Sequence, residues 1–216
     1  MTAAFTLFDL RNFATTQPLR MILPLAFVVV FGAIVPFSGA PIIIGALAAA
    51  LTASYYFQGD ERGLLDTLYA ITPISRRSVV VGRYVSMLVL AAVSVGLGAV
   101  TAFIAAAIRH ESLGWPVTAT MLLAAFGIVT VAFAVQLPWF FALGFTRGRP
   151  MVYVPVGVIA VAAFVASQTG LLHGSVQLGS LSDPSALVTA VVLILGAAAL
   201  VASAAVAVRL YRRRAL

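Results

Sequence analysis

The chain has 216 residues, of which 62% are hydrophobic and 9% charged, and its mean hydropathy is +1.12. A water-soluble core of this size does not require so much apolar surface, so the composition places the chain among integral membrane proteins. All thirteen basic residues are arginine, and there is no lysine or cysteine. This excludes a phosphate-binding loop of the G-x-x-x-x-G-K-[ST] type, whose lysine must reach the phosphates, and it excludes disulfides, thiol nucleophiles and thiolate metal sites.

A leader, "FTLFDLRNFATTQP", comes first. Phe5, Phe8 and Phe13 recur on one side of a possible helix, with Asp9 interrupting that face. The expectation is an interfacial helix lying on the inner leaflet. Six runs then approach the roughly 20 apolar residues needed to cross a bilayer, over about 19–36, 41–57, 84–108, 116–145, 150–169 and 186–208. The expected fold is thus all-α, with six transmembrane helices in a single domain covering 1–216.

The first run, followed by "FSGAP", could be read as a signal-peptide core with a small-residue cleavage site. The leader with its three phenylalanines is unlike a short basic n-region, and Pro36 and Pro41 suit a tight turn between two antiparallel spans. In the third run "SVGLG", Ser94 to Gly98, offers a small-x-x-x-small pair that lets another helix approach closely. The fourth contains Gln136 and Pro138. The missing backbone donor of Pro138 predicts a kink, either structural or serving a gate.

If the first run enters from the cytoplasm, twelve of the thirteen arginines fall in cytoplasmic stretches and Arg109 alone lies outside. The bias predicts cytoplasmic N and C termini. It also turns the basic isoelectric point into a signal of topology and anionic inner-leaflet lipid rather than of nucleic acid. His110 and His173 sit in different outer loops, so they make neither a metal site nor the serine–histidine pair of an intramembrane protease. By these boundaries no span interior carries Asp, Glu, Arg or His, and a proton- or ion-coupled carrier relay is absent.

The longest cytoplasmic connection is 58–83, and "TPISRRSVVVGRY", 72–84, is the most polar long stretch of the chain. In "QGDERGLLDTLYAI", a helical projection gathers Leu64, Leu65, Leu68, Tyr69 and Ile71 within an arc of about 160°, with Asp60, Arg62, Asp66 and Thr67 opposite. Glu61 falls in the first turn, where a negative charge is favourable. Pro73 ends this short amphipathic helix. Ser75 is placed to cap a new one starting near Arg76 and Arg77 and leading into the third span. The pattern is a corner: helix, break, cap, helix.

At this point the run "DERGLLDTLYAITPISRRSVVVGRY" resembles the cytoplasmic signature of ABC-2 type permeases of the small six-span branch. In those permeases an acidic amphipathic segment precedes a P-I-S-R motif and then a basic–Tyr pair, here Asp60 to Tyr69, Pro73 to Arg76, and Arg83 with Tyr84. The resemblance implies the membrane subunit of an ABC exporter in the cell membrane, with no enzymatic activity and no cofactor of its own. ATP and Mg would be handled by two separate ATP-binding subunits, and the permease would pair with a second copy or a paralogue. It further implies that the helix built from Asp60, Glu61, Arg62, Leu64, Leu65, Asp66, Leu68 and Tyr69, with the corner at Pro73, Ser75, Arg76 and Arg77, couples to the ATPase. An apolar interior suits a hydrophobic or amphipathic cargo such as a peptide, lipid or drug. A stand-alone channel or carrier and a non-transporting scaffold or regulator remain the alternatives, and homodimer against heterodimer stays open.

Overall fold

The computed structural model describes residues 2–63, 74–155, 157, 161 and 185–213. Among them every regular element is a helix: α1 (Thr2–Thr16), α2 (Pro18–Ile34), α3 (Ala40–Arg62), α4 (Arg76–Ile108), α5 (Trp115–Gly148) continued by a short 3-10 helix (Arg149–Val152), and α6 (Ala186–Arg213). Four are long and apolar enough to cross a membrane: α3, α4, α5 with its 3-10 extension, and α6. Helix α2 has 17 residues. It meets α1 at 87°, and the bent pair makes a fifth candidate if counted as one span. The predicted span over 150–169 lies mostly outside the described residues.

Helix α3 is the most buried of the four and sits at the centre, packed on α2, α4 and α5, while α6 lies against α5 and α4. Its small residues make this possible. A Cβ on Gly98 of α4 would come within 2.3 Å of the Pro41 carbonyl oxygen of α3, and one on Gly45 within 2.5 Å of the Ser94 carbonyl oxygen. The "SVGLG" stretch is therefore the face on which α3 and α4 touch backbone to backbone, the packing mode expected where lipid supplies no hydrophobic drive for helix association. Outward-facing positions remain apolar, as on α6, where Leu187, Ile194 and Val201 are well exposed. In a bilayer such a surface is solvated by acyl chains rather than water.

Two expectations change. The connection predicted over 58–83 is shorter, because α3 runs on to Arg62 and α4 begins at Arg76. Asp60 and Arg83, which hydropathy assigns to a loop, are helical residues that neutralise each other. The break in α5 is not located at Pro138 either. Backbone dihedrals leave the helical region at Gly144, with φ 77° and ψ 179°, a conformation that a residue with a Cβ rarely adopts. Pro138 stays inside the helix.

Candidate functional site

The loop-side ends of α3 and α4 are bound together around one arginine. Arg83 is 1% exposed and makes ion pairs with Asp60 of α3 at 2.6 Å and with Asp9 of α1 at 3.1 Å. Its guanidinium also lies over the rings of Tyr56 and Phe57, 5.2 and 5.4 Å from their centroids. Such a planar cation suits this position, since its edge can serve two carboxylates while its face rests on aromatic rings. One positive charge thus ties three helices.

Helix α1 is arranged to reach it. Phe5, Asp9 and Phe13 recur every four residues, so they share one helical face, and all three are buried. Phe13 stacks on Tyr56 at 3.8 Å, and Phe5 closes over Gly82, where a Cβ would stand 2.5 Å from its ring. The expectation that Asp9 interrupts an apolar, membrane-facing side is therefore corrected: the face belongs to the bundle and Asp9 is its polar centre. Leu7 and Phe8 are exposed. Asp9 itself lies on α1, outside the four spanning helices. Burial pushes its carboxyl above the usual range, against the Arg83 charge that pulls it down.

The neighbouring residues complete the frame. Glu61 accepts hydrogen bonds from the Thr146 backbone N–H at 3.2 Å and from the Thr146 hydroxyl at 2.7 Å. It thereby ties the end of α3 to the turn just past the Gly144 break. Arg62 is exposed. Ser75 takes the predicted cap position, extended in backbone (φ −68°, ψ 139°), and its side chain accepts from Ser78 N–H at 3.1 Å. Arg76 donates to the Tyr211 and Arg212 carbonyls at 3.2 and 2.9 Å and lies 5.9 Å from the Tyr211 ring centroid. It satisfies carbonyls at the C-terminal end of α6, where a cation is favoured. Arg77 is exposed. Leu64, Leu65, Asp66, Leu68, Tyr69 and Pro73 lie outside the described residues.

Higher in the bundle, Gln136 is buried and its amide nitrogen donates to the Val152 carbonyl at 3.2 Å, which fastens the 3-10 segment back onto α5. The Ser203 hydroxyl of α6 donates to the Ala134 carbonyl of α5 at 2.9 Å and accepts from Tyr84 of α4 at 2.7 Å. Sequence reasoning placed neither Asp9 nor Ser203 in a site, and it marked Arg83 and Tyr84 only as the basic–Tyr pair of the signature. For Asp9 the available signal was its four-residue spacing with Phe5 and Phe13.

A helical bundle this apolar, with several helices able to span a bilayer, is a multi-pass membrane protein. The model of the ABC-2 family transporter proteins matches residues 9–212. The chain belongs to that family, which makes it a transport protein of the membrane and implies ABC ATP-binding subunits as partners. No curated protein and no solved structure matches the chain.

Proposed function

We propose that the chain is the permease subunit of an ATP-driven exporter in the cell membrane. It would work as a dimer with two separate ATP-binding subunits and move a hydrophobic or amphipathic substrate, such as a peptide, lipid or drug, outward. The observation that supports a coupling role for the connection between α3 and α4 is the clamp at its base. The helix before it is held by Asp60 and Glu61, the helix after it by the Ser75 cap and by Arg76 on α6, and Arg83 joins the two. A displacement applied to a short segment anchored in this way is passed to α3 and α4 as rigid bodies instead of being absorbed by slack.

In this reading Leu64, Leu65, Leu68 and Tyr69 supply the apolar face that docks on the ATPase. Asp60 holds the frame together with Arg83, and Asp66 with Arg77 orients the contact. ATP and Mg are held by the partner. The test is co-purification of the ATP-binding subunit, and substrate-stimulated ATP turnover, for Leu65→Asp, Leu68→Asp and Pro73→Ala. Burying an unpaired carboxylate in an apolar groove is costly, so both leucine variants lose the partner while remaining inserted. Pro73→Ala lets the flanking helices fuse and uncouples turnover from substrate. Full coupling in all three, at normal expression, would remove the assignment of this segment.

A further inference from the structure

At the elbow between α1 and α2, Gln17 lies against Gly59 of α3 so closely that a Cβ there would meet the Gln17 amide nitrogen at 2.1 Å. This contact sets the register of two arginines. Arg20 follows Gln17 by three residues and Arg62 follows Gly59 by three, and residues at that spacing share a helical face. Both arginines consequently line one open hollow of about 350 Å³ with Thr16, Gln17, Pro18 and Leu19. No carboxylate among the described residues lines it. Arg20 donates to the Gln17 side-chain oxygen at 2.6 Å, a neutral partner, and Arg62 has no side-chain partner among the described residues. Two like charges gathered by the fold, with no acid among the described residues between them, call for an anion.

The surroundings say which kind. The elbow turns the chain through 87°, from α1 to the apolar α2. Immediately along α2, Leu19, Ile22 and Leu23 are 70%, 54% and 61% exposed. An acidic phosphate group held at the hollow would thus have its acyl chains beside an exposed apolar strip, the arrangement by which basic pockets at helix ends hold anionic phospholipids. We propose that Arg20 and Arg62 form a binding site for the phosphodiester headgroup of an anionic phospholipid, which staples the α1–α2 elbow and the end of α3 to the membrane surface. The proposal does not depend on the transport reading, because it is measured on the isolated subunit without ATPase or substrate.

The purified full-length chain is incubated with mixed micelles of equal phosphatidylglycerol and phosphatidylcholine. Retained lipid is then counted by mass spectrometry after gel filtration, with a melting curve as the folding control. The parent is expected to enrich phosphatidylglycerol, and Arg20→Gln and Arg62→Gln each to lower that enrichment by about fivefold, the equivalent of ~1 kcal/mol for one arginine near a lipid surface. Arg62→Lys should keep most of the enrichment and Arg147→Gln, an exposed arginine at the end of α5, all of it. Arg62→Gln keeps the test open should Arg20→Gln melt early, because the exposed Arg62 side chain holds no described contact. Equal retention of the two lipids by the parent, or enrichment indifferent to both glutamine substitutions, would overturn the site. Displacement of the lipid by millimolar inorganic phosphate would show that the pocket takes the free ion and would overturn the lipid assignment.

Discussion

The hydroxyl of Ser203 on α6 fills the place of the backbone donor that Pro138 on α5 lacks. In an unbroken helix the N–H of residue 138 would bond the carbonyl of residue 134. Proline leaves that carbonyl open, and Ser203 donates to Ala134 O at 2.9 Å while Tyr84 donates to Ser203 at 2.7 Å. A position that weakens one helix thereby links α4, α5 and α6, as expected where no water is at hand to take up a freed carbonyl.

A double-mutant cycle tests this link. Ser203→Ala strands the Ala134 carbonyl and the Tyr84 hydroxyl and is expected to cost about 1–2 kcal/mol, within the range of interhelical hydrogen bonds in membranes. In a Pro138→Ala background the backbone N–H returns to Ala134, and the cost of Ser203→Ala falls. Melting in detergent is the measurement; equal costs in the two backgrounds would show that Ser203 does not stand in for the proline.

The second prediction concerns Arg83. Replacing it by Gln leaves Asp9 and Asp60 facing each other in a buried site, and removing one partner of a buried ion pair costs about 3–5 kcal/mol. Asp9→Asn is expected to cost less, because Arg83 keeps its 2.6 Å contact with Asp60. Asp60→Asn falls between them. Melting temperatures should rank parent, Asp9→Asn, Asp60→Asn, Arg83→Gln; an Arg83→Gln protein as stable as the parent would mean that the three helices are held by aromatic packing alone.

What the sequence made legible were the features that a local pattern carries. Apolar runs gave the spans at 41–57, 84–108, 116–145 and 186–208 to within a turn or two at most ends, and Ser75 before Arg76 gave the cap. Small residues at Ser94 and Gly98 gave the close approach. The Arg83 clamp was illegible because its partners are far apart in the chain and because a hydropathy window scores an arginine alike whether it is paired or free. Only the fold brings Asp9 and Asp60 to Arg83, and the Asp60–Arg83 pair sits where α3 and α4 extend past their hydrophobic stretches. Gly144 is one of many glycines, so nothing local distinguishes it as the one with positive φ among the described residues.

Topology gives the third prediction. Reporters fused after Leu216 or within 58–83 are expected on the cytoplasmic side, and tags beside His110 and His173 outside, because a six-span arrangement would put twelve arginines on one side. A tag at residue 173 labelled only from the cytoplasm would reduce the number of crossings and reverse the last helix.

The last prediction separates two neighbouring glycines of α4, Gly96 and Gly98. A Cβ on Gly98 would stand 2.3 Å from the Pro41 carbonyl oxygen and 2.9 Å from its carbon, backbone atoms that no rotamer change can move. A Cβ on Gly96 meets nothing within 4 Å. Both are helical, so alanine gains the same intrinsic preference at each, roughly 1 kcal/mol relative to glycine. At Gly96 that gain stands alone, and Gly96→Ala is expected to leave stability unchanged or raise it by up to about 1 kcal/mol. At Gly98 α3 and α4 must separate, giving up contact along the line where Gly45 meets the Ser94 carbonyl; the loss is expected to reach the 1–3 kcal/mol typical of overpacking. The distinction also bears on the Arg83 clamp, since Asp60 and Arg83 sit on these same two helices and a change in their spacing at Gly98 alters the angle at which they converge on the loop. Gly98→Ala should therefore weaken ATPase attachment as well as stability, whereas Gly96→Ala should leave both intact. Equal behaviour of the two variants would mean that the α3–α4 contact is softer than backbone-to-backbone packing, and that motion could not pass between loop and bundle along these helices as rigid bodies.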